Sequence, residues 1–191
     1  MKKGIAVLFP GIGYTNDRPL LYYSKKIVKE IGFDCVEINY SISEKIMEIK
    51  NNTDKMKECF QSAMQQTERK LSDINFQDYE RVVFIAKSIG TVIAACYDSS
   101  NKIDAENVIL TPLPQTFDYL KNNSGIIFHG STDPWCETNI VEKASDDLDI
   151  KLFKIENANH SLETGNIITD IENLEKIIKE IRKFVLRLEI N

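Results

Sequence analysis

One serine in this chain stands where its hydroxyl could be made to attack. Ser88 lies in Val82-Val83-Phe84-Ile85-Ala86-Lys87-Ser88-Ile89-Gly90-Thr91, a β-rich apolar run that enters a tight turn and passes at once into a segment of helical pattern. A serine on a sharp turn at the carboxyl end of a strand projects its oxygen clear of the backbone. Strand and helix pass close at such a turn, so small residues are needed two positions to either side, and Ala86 and Gly90 supply them. The N–H of Ile89 would then sit at a helix amino terminus, where the dipole favours a developing oxyanion. Taken alone the pentapeptide is a weak signal, because serine also simply caps helices in strand-to-helix turns.

A hydroxyl is a poor nucleophile until a base takes its proton, and the usual base is a histidine oriented by a carboxylate. The chain has only two histidines. His160, in Glu156-Asn157-Ala158-Asn159-His160-Ser161-Leu162, falls beyond the last predicted strand and before the final helix, on a loop at the carboxyl edge of a sheet. His129 ends a strand and is read as structural or near-site. Asp133, in Gly130-Ser131-Thr132-Asp133-Pro134-Trp135, follows the penultimate strand by a few residues in a turn that Pro134 stiffens, and it is the candidate acid; a plain turn aspartate is the competing reading. Asp146, Asp147 and Asp149 precede the last strand and belong at its other end. Ser88, Asp133 and His160 thus occupy strand ends that a parallel sheet would bring together.

A second oxyanion donor is expected from Phe9-Pro10-Gly11-Ile12-Gly13-Tyr14, after the first strand, with Ile12 the first choice and Gly13 next. The same glycines invite a dinucleotide-binding reading. That fails because Asn16 occupies the third glycine position and Asn39 stands where a ribose-binding carboxylate would be wanted.

The elements that must hold these residues alternate along the chain. Residues 5–9, 33–39, 81–86, 107–110, 126–129 and 150–155 are short β-rich runs, mostly continuous in their apolar character as strands covered on both faces are. Between the first two, Pro19 can open a helix and Gly32 can close it, with Leu20, Ile27, Val28 and Ile31 as its apolar face. A helix over 54–71, capped by Thr53 or Asp54, places Met56, Phe60, Ala63, Met64, Thr67 and Leu71 on one stripe. Residues 89–97 and 139–148 read as shorter helices. Residues 167–188 read as a long amphipathic one with Ile171, Leu174, Ile178, Ile181, Val185 and Leu188 as its core. Alternation of this kind predicts an α/β fold, a three-layer α/β/α sandwich on a mainly parallel six-stranded sheet, as a single domain over residues 1–191.

Composition narrows the function classes. Hydrophobic residues make up 42% and charged residues 28% of the 191, the balance of an ordinary globular chain. A net charge of -5 without a Lys/Arg cluster argues against nucleic acid. No apolar stretch approaches the length of a membrane span and the run after Met1 is too short for an export signal, so no membrane association and a cytoplasmic location are expected. The four cysteines, Cys35, Cys59, Cys96 and Cys136, show neither zinc nor disulfide spacing and are read as reduced thiols. No metal and no cofactor is implied.

The markers Phe9-Pro10-Gly11, Ala86-Lys87-Ser88-Ile89-Gly90-Thr91, Gly130-Ser131-Thr132-Asp133-Pro134 and Asn159-His160-Ser161-Leu162 together resemble the α/β-hydrolases, in particular the small, lidless, dienelactone-hydrolase-like bacterial branch. The resemblance spans nearly the whole chain. It departs in Ala86, where glycine is commoner, and in lacking two antiparallel strands that usually precede the first one here. It implies a minimal α/β-hydrolase fold without a cap domain, strand order second, first, third, fourth, fifth, sixth, and a Ser88, Asp133, His160 triad with the N–H groups of Ile12 and Ile89 as oxyanion hole. The expected activity is hydrolysis of a small-molecule carboxylic ester or thioester. Gly11, Gly13, Tyr14, Lys87, Leu113 and Trp135 are the candidate substrate-binding residues, with Pro112 and Phe117 as further apolar walls. Lys87 is expected to reach solvent, the alternative being that it draws anionic acyl groups. Two rival functions are a non-catalytic binding module on the same scaffold and a nucleotide-binding domain. The oligomeric state is left open.

Overall fold

Apolar runs covered on both faces form six parallel strands in the computed structural model, which describes residues 1–42 and 52–188. The strands are β1 (Ile5–Phe9), β2 (Asp34–Glu37), β3 (Val82–Lys87), β4 (Glu106–Leu110), β5 (Gly125–Gly130) and β6 (Lys151–Ile155). They are joined by α1 (Pro19–Glu30), α2 (Thr53–Leu71), α3 (Ile89–Asn101) and α4 (Thr138–Asp147), and α5 (Ile167–Leu186) follows β6. The sheet runs β2-β1-β3-β4-β5-β6 with every neighbouring pair parallel, so all the loops after the strands leave from one edge.

Strand alternation divides the core in two. Ala6, Leu8, Val83, Ile85, Val108, Leu110, Ile126 and Phe128 face α1 and α5 through Leu21, Val28, Ile177, Ile181 and Val185. Ile5, Val7, Phe9, Val82, Phe84 and Ala86 face α2 and α3, and Ile109 and Ile127 extend that face to Val141 of α4. Each Val, Leu, Ile or Phe among them contributes about 1.5–3 kcal/mol when withdrawn from water, which makes the middle of the sheet the stiffest support available to a site.

The differences from the sequence reading lie at element ends. β2 is shorter than 33–39 because it is an edge strand whose ladder to β1 stops at Leu8: the Ile38 N–H still donates to the Leu8 carbonyl at 3.0 Å. The buried Asn16 side chain then takes the Ile38 carbonyl at 2.7 Å and the chain turns away. α2 is capped by Asn52, not by Thr53 or Asp54; its Oδ1 accepts the N–H groups of Asp54 and Lys55, both at 3.1 Å. α3 runs on past 97 to Asn101 because Asp98, polar yet buried, accepts the N–H groups of Asp104 and Ala105 and so shapes the turn that follows. In α5 the buried residues are Ile177, Ile181 and Val185; Ile171 is exposed because the first turns run ahead of α1 and the sheet, and Leu188, also exposed, lies past the end of the helix at Leu186. α1 follows its expected bounds, with Pro19 in its first turn and Gly32 at φ 81° just beyond its end.

Replacing the cap, Asn52→Ala, is expected to lower stability by about 1 kcal/mol, read as a shift of the denaturation midpoint.

Candidate active site

β3 reaches the carboxyl edge at Lys87, and the chain must reverse into α3 within one residue. Ser88 takes that turn at φ 57°, ψ −127°, a conformation that costs a non-glycine residue about 1–3 kcal/mol. Three contacts hold it there. The Ser88 N–H continues the sheet by donating to the Leu110 carbonyl at 3.0 Å, and the Ser88 carbonyl accepts the Thr91 N–H at 2.9 Å and the Thr91 hydroxyl at 2.6 Å. Close approach of β1 completes the turn: a Cβ at Gly90 would lie 2.3 Å from the Phe9 carbonyl oxygen and 2.6 Å from that of Pro10, which only glycine permits.

His160 enters from the loop after β6. Asn159 shapes that loop, its Oδ1 accepting the Ser161 N–H at 2.7 Å, while buried Leu162 joins the core between the sheet and α5. The acid turn after β5 is stitched to the same loop: the Thr132 N–H and hydroxyl both donate to the Ala158 carbonyl, at 3.0 and 2.9 Å, and the Asn157 N–H donates to Ser131 Oγ at 2.7 Å. Gly130 makes the stitching possible, because a Cβ there would sit 2.3 Å from the Ala158 carbonyl oxygen.

Ser88, His160 and Asp133 therefore meet. His160 Nε2 lies 2.8 Å from Ser88 Oγ and Nδ1 lies 2.7 Å from Asp133 Oδ2. The Asp133 side chain is fully buried, and its second oxygen accepts the Trp135 N–H at 2.9 Å. A carboxylate only accepts, so Nδ1 carries the proton and the Nε2 lone pair faces the serine hydroxyl. Burial holds the His160 imidazole below its ordinary pKa; the Asp133 hydrogen bond opposes this and the Lys87 charge adds to it. The imidazole is thus neutral, and able to accept a proton, over a wider range than a free histidine.

The Ser88 hydroxyl opens into a cavity of about 270 Å³ lined by Ile12, Gly13, Tyr14, Lys87, Ile89, Leu113, Trp135 and His160, together with Met56 and Ser161. Gly11 and Tyr14 exchange two backbone hydrogen bonds, at 3.1 and 3.4 Å, so Ile12 and Gly13 form the tip of a turn facing the serine. The Ile89 N–H lies in the first turn of α3, where a helix supplies no acceptor of its own. Gly11 lies beside the serine, the position of a Cβ there being 3.1 Å from Ser88 Cβ, and the Trp135 ring centre lies 5.7 Å from that of His160. A second apolar cavity of about 220 Å³, bounded by Phe60, Val92 and Tyr119, adjoins the first across Met56, Ile89 and Leu113.

Several residues fall elsewhere than expected. Lys87 does not reach solvent: it is 1% exposed, with Nζ donated to Thr111 Oγ1 and to the His160 carbonyl. Phe117 packs with Ile109 and Val141 and Pro112 is buried, and neither lines the serine cavity. His129 is buried outside the triad, Nε2 3.0 Å from the Thr138 hydroxyl. Asp146 and Asp147 end α4 and Asp149 follows them just before β6, away from the triad. The sequence gives Asn159 and Ser161 only as flanks of His160, and does not assign Met56 or the Thr91–Thr116 hydroxyl pair, at 2.7 Å, to the site. Met56 has the spacing of a core residue, and a loop asparagine carries no signal of what it will bond. Among the described residues no His/Cys/Asp/Glu group could hold a metal and no helix is long and apolar enough to cross a membrane. None of the four cysteines is in a disulfide.

Neither the protein-family models nor the curated protein sequences give a match. Solved structures do. An α/β serine hydrolase without a lid from Xanthomonas campestris is 10% identical with a TM-score of 0.59, covering 100% of this chain and 85% of that one. Est1E from Butyrivibrio proteoclasticus, with ferulic acid bound, is 12% identical with a TM-score of 0.68, covering 97% and 89%. An esterase from Pyrococcus furiosus is 10% identical with a TM-score of 0.62, covering 98% and 84%. At such identities the likeness is one of fold. The chain has the α/β-hydrolase fold, with only a short 3-10 turn, Pro114–Asp118, and no inserted cap between β4 and β5.

Because the strain at Ser88 vanishes for glycine, Ser88→Gly is expected to raise stability by about 0.5–2 kcal/mol, after allowing for the greater freedom of glycine when unfolded. Denaturant unfolding of the two proteins measures the difference.

Proposed function

We propose that the protein is a serine hydrolase that cleaves a small carboxylic ester or thioester through an acyl-enzyme. The observation that carries this reading is the unbroken relay from the Ser88 hydroxyl through the His160 imidazole to the buried Asp133 carboxylate, at 2.8 and 2.7 Å. Neighbours of the same fold described as hydrolases and esterases support it.

In this mechanism Ser88 Oγ attacks the substrate carbonyl as His160 Nε2 takes its proton, and Asp133 stabilises the imidazolium formed. The N–H groups of Ile12 and Ile89 bind the oxyanion, each such donor contributing roughly 10²–10³ in rate. Collapse of the tetrahedral intermediate expels the alcohol or thiol, which leaves with the proton from His160. Water, activated by the same imidazole, then repeats the attack and frees the acid and Ser88. The apolar cavity beside Ile89 and Leu113 is the place for the acyl group, and its continuation toward Phe60 and Val92 favours acyl chains longer than acetyl.

A fluorophosphonate probe is expected to label Ser88 in the native chain and to leave Ser88→Ala unlabelled, as read by intact mass and peptide mapping. Absence of an adduct in the native chain would sink the reading in favour of a binding module with an idle triad. A panel of p-nitrophenyl esters of rising chain length, with an acyl-thioester beside them, identifies the acyl preference.

The pH dependence has a definite sign. Neutral His160 is the working form and burial lowers its pKa, so kcat/KM should fall with decreasing pH at a midpoint below 6.5. A midpoint above 6.5 in a stopped-flow pH profile would contradict the arrangement.

A further inference from the structure

Alternation along β3 sends Val83, Ile85 and Lys87 to the sheet face covered by α1 and α5, where Val83 and Ile85 join the apolar core. Lys87 thus occupies a position that calls for another apolar side chain. Burying an amine there is unfavourable unless its donors are satisfied, so the contacts it makes need a reason. Nζ donates to Thr111 Oγ1 at 2.5 Å and to the main-chain carbonyl of His160 at 2.6 Å, and lies 5.0 Å from the centre of the Tyr14 ring. Both hydrogen-bond partners are neutral oxygens. One follows β4 and the other belongs to the loop after β6, so a single side chain from β3 bridges the edge of the sheet to the histidine loop.

We propose that Lys87 is a positioning residue for His160: its buried Nζ, donated to the His160 carbonyl and the Thr111 hydroxyl, pins the backbone of the histidine loop while Asp133 pins the ring. The two anchors act on different parts of one residue. Asp133 sets the rotation of the imidazole, and Lys87 sets the distance of the loop from the end of β3, which is where Ser88 begins. Loss of either lets Nε2 drift from Oγ. The kinetic part of this inference rests on the serine-hydrolase reading; the structural part does not.

Charge gives the contact a readout that a packing role would not have. The groups acting on the His160 imidazole are Asp133 from the turn after β5, Lys87 from β3 and His129 from β5; those acting on Lys87 are Asp133 and Glu163. The Tyr14 phenol, whose ring Lys87 approaches, is itself held neutral by burial, its pKa pushed up to about 12. Burial pushes Lys87 down to about 7, against Asp133 and Glu163. Whatever fraction of Lys87 carries charge disfavours the imidazolium of His160, so removing the amine must raise the His160 pKa.

The test is Lys87→Met, which keeps the length of the side chain and removes its donors, studied in the full chain. With two histidines in the sequence, NMR titration of their Cε1–H signals, assigned through His160→Gln, reads His160 without any turnover. The expected result is a His160 midpoint raised by on the order of half a pH unit. With a p-nitrophenyl ester, kcat should fall by about tenfold or more while KM changes by less than about threefold. Thr111→Val, which removes one acceptor and keeps the amine, should move both quantities in the same direction by less, and it carries the test if Lys87→Met does not fold. A folded Lys87→Met with an unchanged His160 midpoint and unchanged kcat would overturn the proposal, as would lowered stability with both of those intact. If native protein neither turns over esters nor labels with fluorophosphonate, the hydrolase reading falls, and the His160 midpoint in Lys87→Met still decides the role of Lys87.

Discussion

The backbone at Ser88 is held in a conformation that serine adopts only under compulsion, and everything else at the site depends on that compulsion being maintained. The turn is gripped from both sides. The ladder to β4 holds its N–H, Thr91 holds its carbonyl, and the carbonyls of Phe9 and Pro10 pass so close to Gly90 that the start of α3 has nowhere else to go. The strain is local, whereas the contacts that balance it are spread over β1, β3, β4 and the first turn of α3. A rigid central sheet, buried on both faces, is what allows one residue to be kept out of its preferred geometry.

Burial then acts on the charged groups that this geometry collects. Asp133 has no exposed side-chain surface and its two oxygens are taken by Nδ1 of His160 and the Trp135 N–H, so it can orient the imidazole without competition from water. Lys87 and His160 are both basic, both largely withdrawn from solvent and both pushed toward their neutral forms. For the proton-accepting role proposed for His160 this is the useful direction. The low polarity that depresses these pKa values also strengthens each hydrogen bond in the relay, and it makes any unpartnered donor there correspondingly unfavourable.

The sequence is legible where chemistry and punctuation coincide. Ser88 was legible because a β-rich run, a small-residue turn and a helical segment follow one another without interruption; Asp133 and His160 were legible because each lies just past an apolar run in a loop with few rivals. Element ends were less legible. Asn52 rather than its neighbours caps α2, and Asp98 extends α3, because such polar residues act through bonds to backbone groups that linear spacing does not reveal. Lys87 lines the serine cavity as its place in the turn implies, but its expected exposure to solvent is wrong. A lysine in a sequence implies solvent, and only the bonds to Thr111 and the His160 carbonyl, both far along the chain, explain its burial.

What the sequence by itself determined is the α/β alternation, the parallel sheet and the identity of three residues on its carboxyl edge, because periodicity and turn chemistry are local properties written into neighbouring residues. The tertiary structure alone decided the 2.8 and 2.7 Å spacing of those residues, the shape of the cavity before them and the inward course of Lys87. Each of these arises where β3, the turn after β5 and the loop after β6 converge, between residues whose separation along the chain leaves no trace in local pattern.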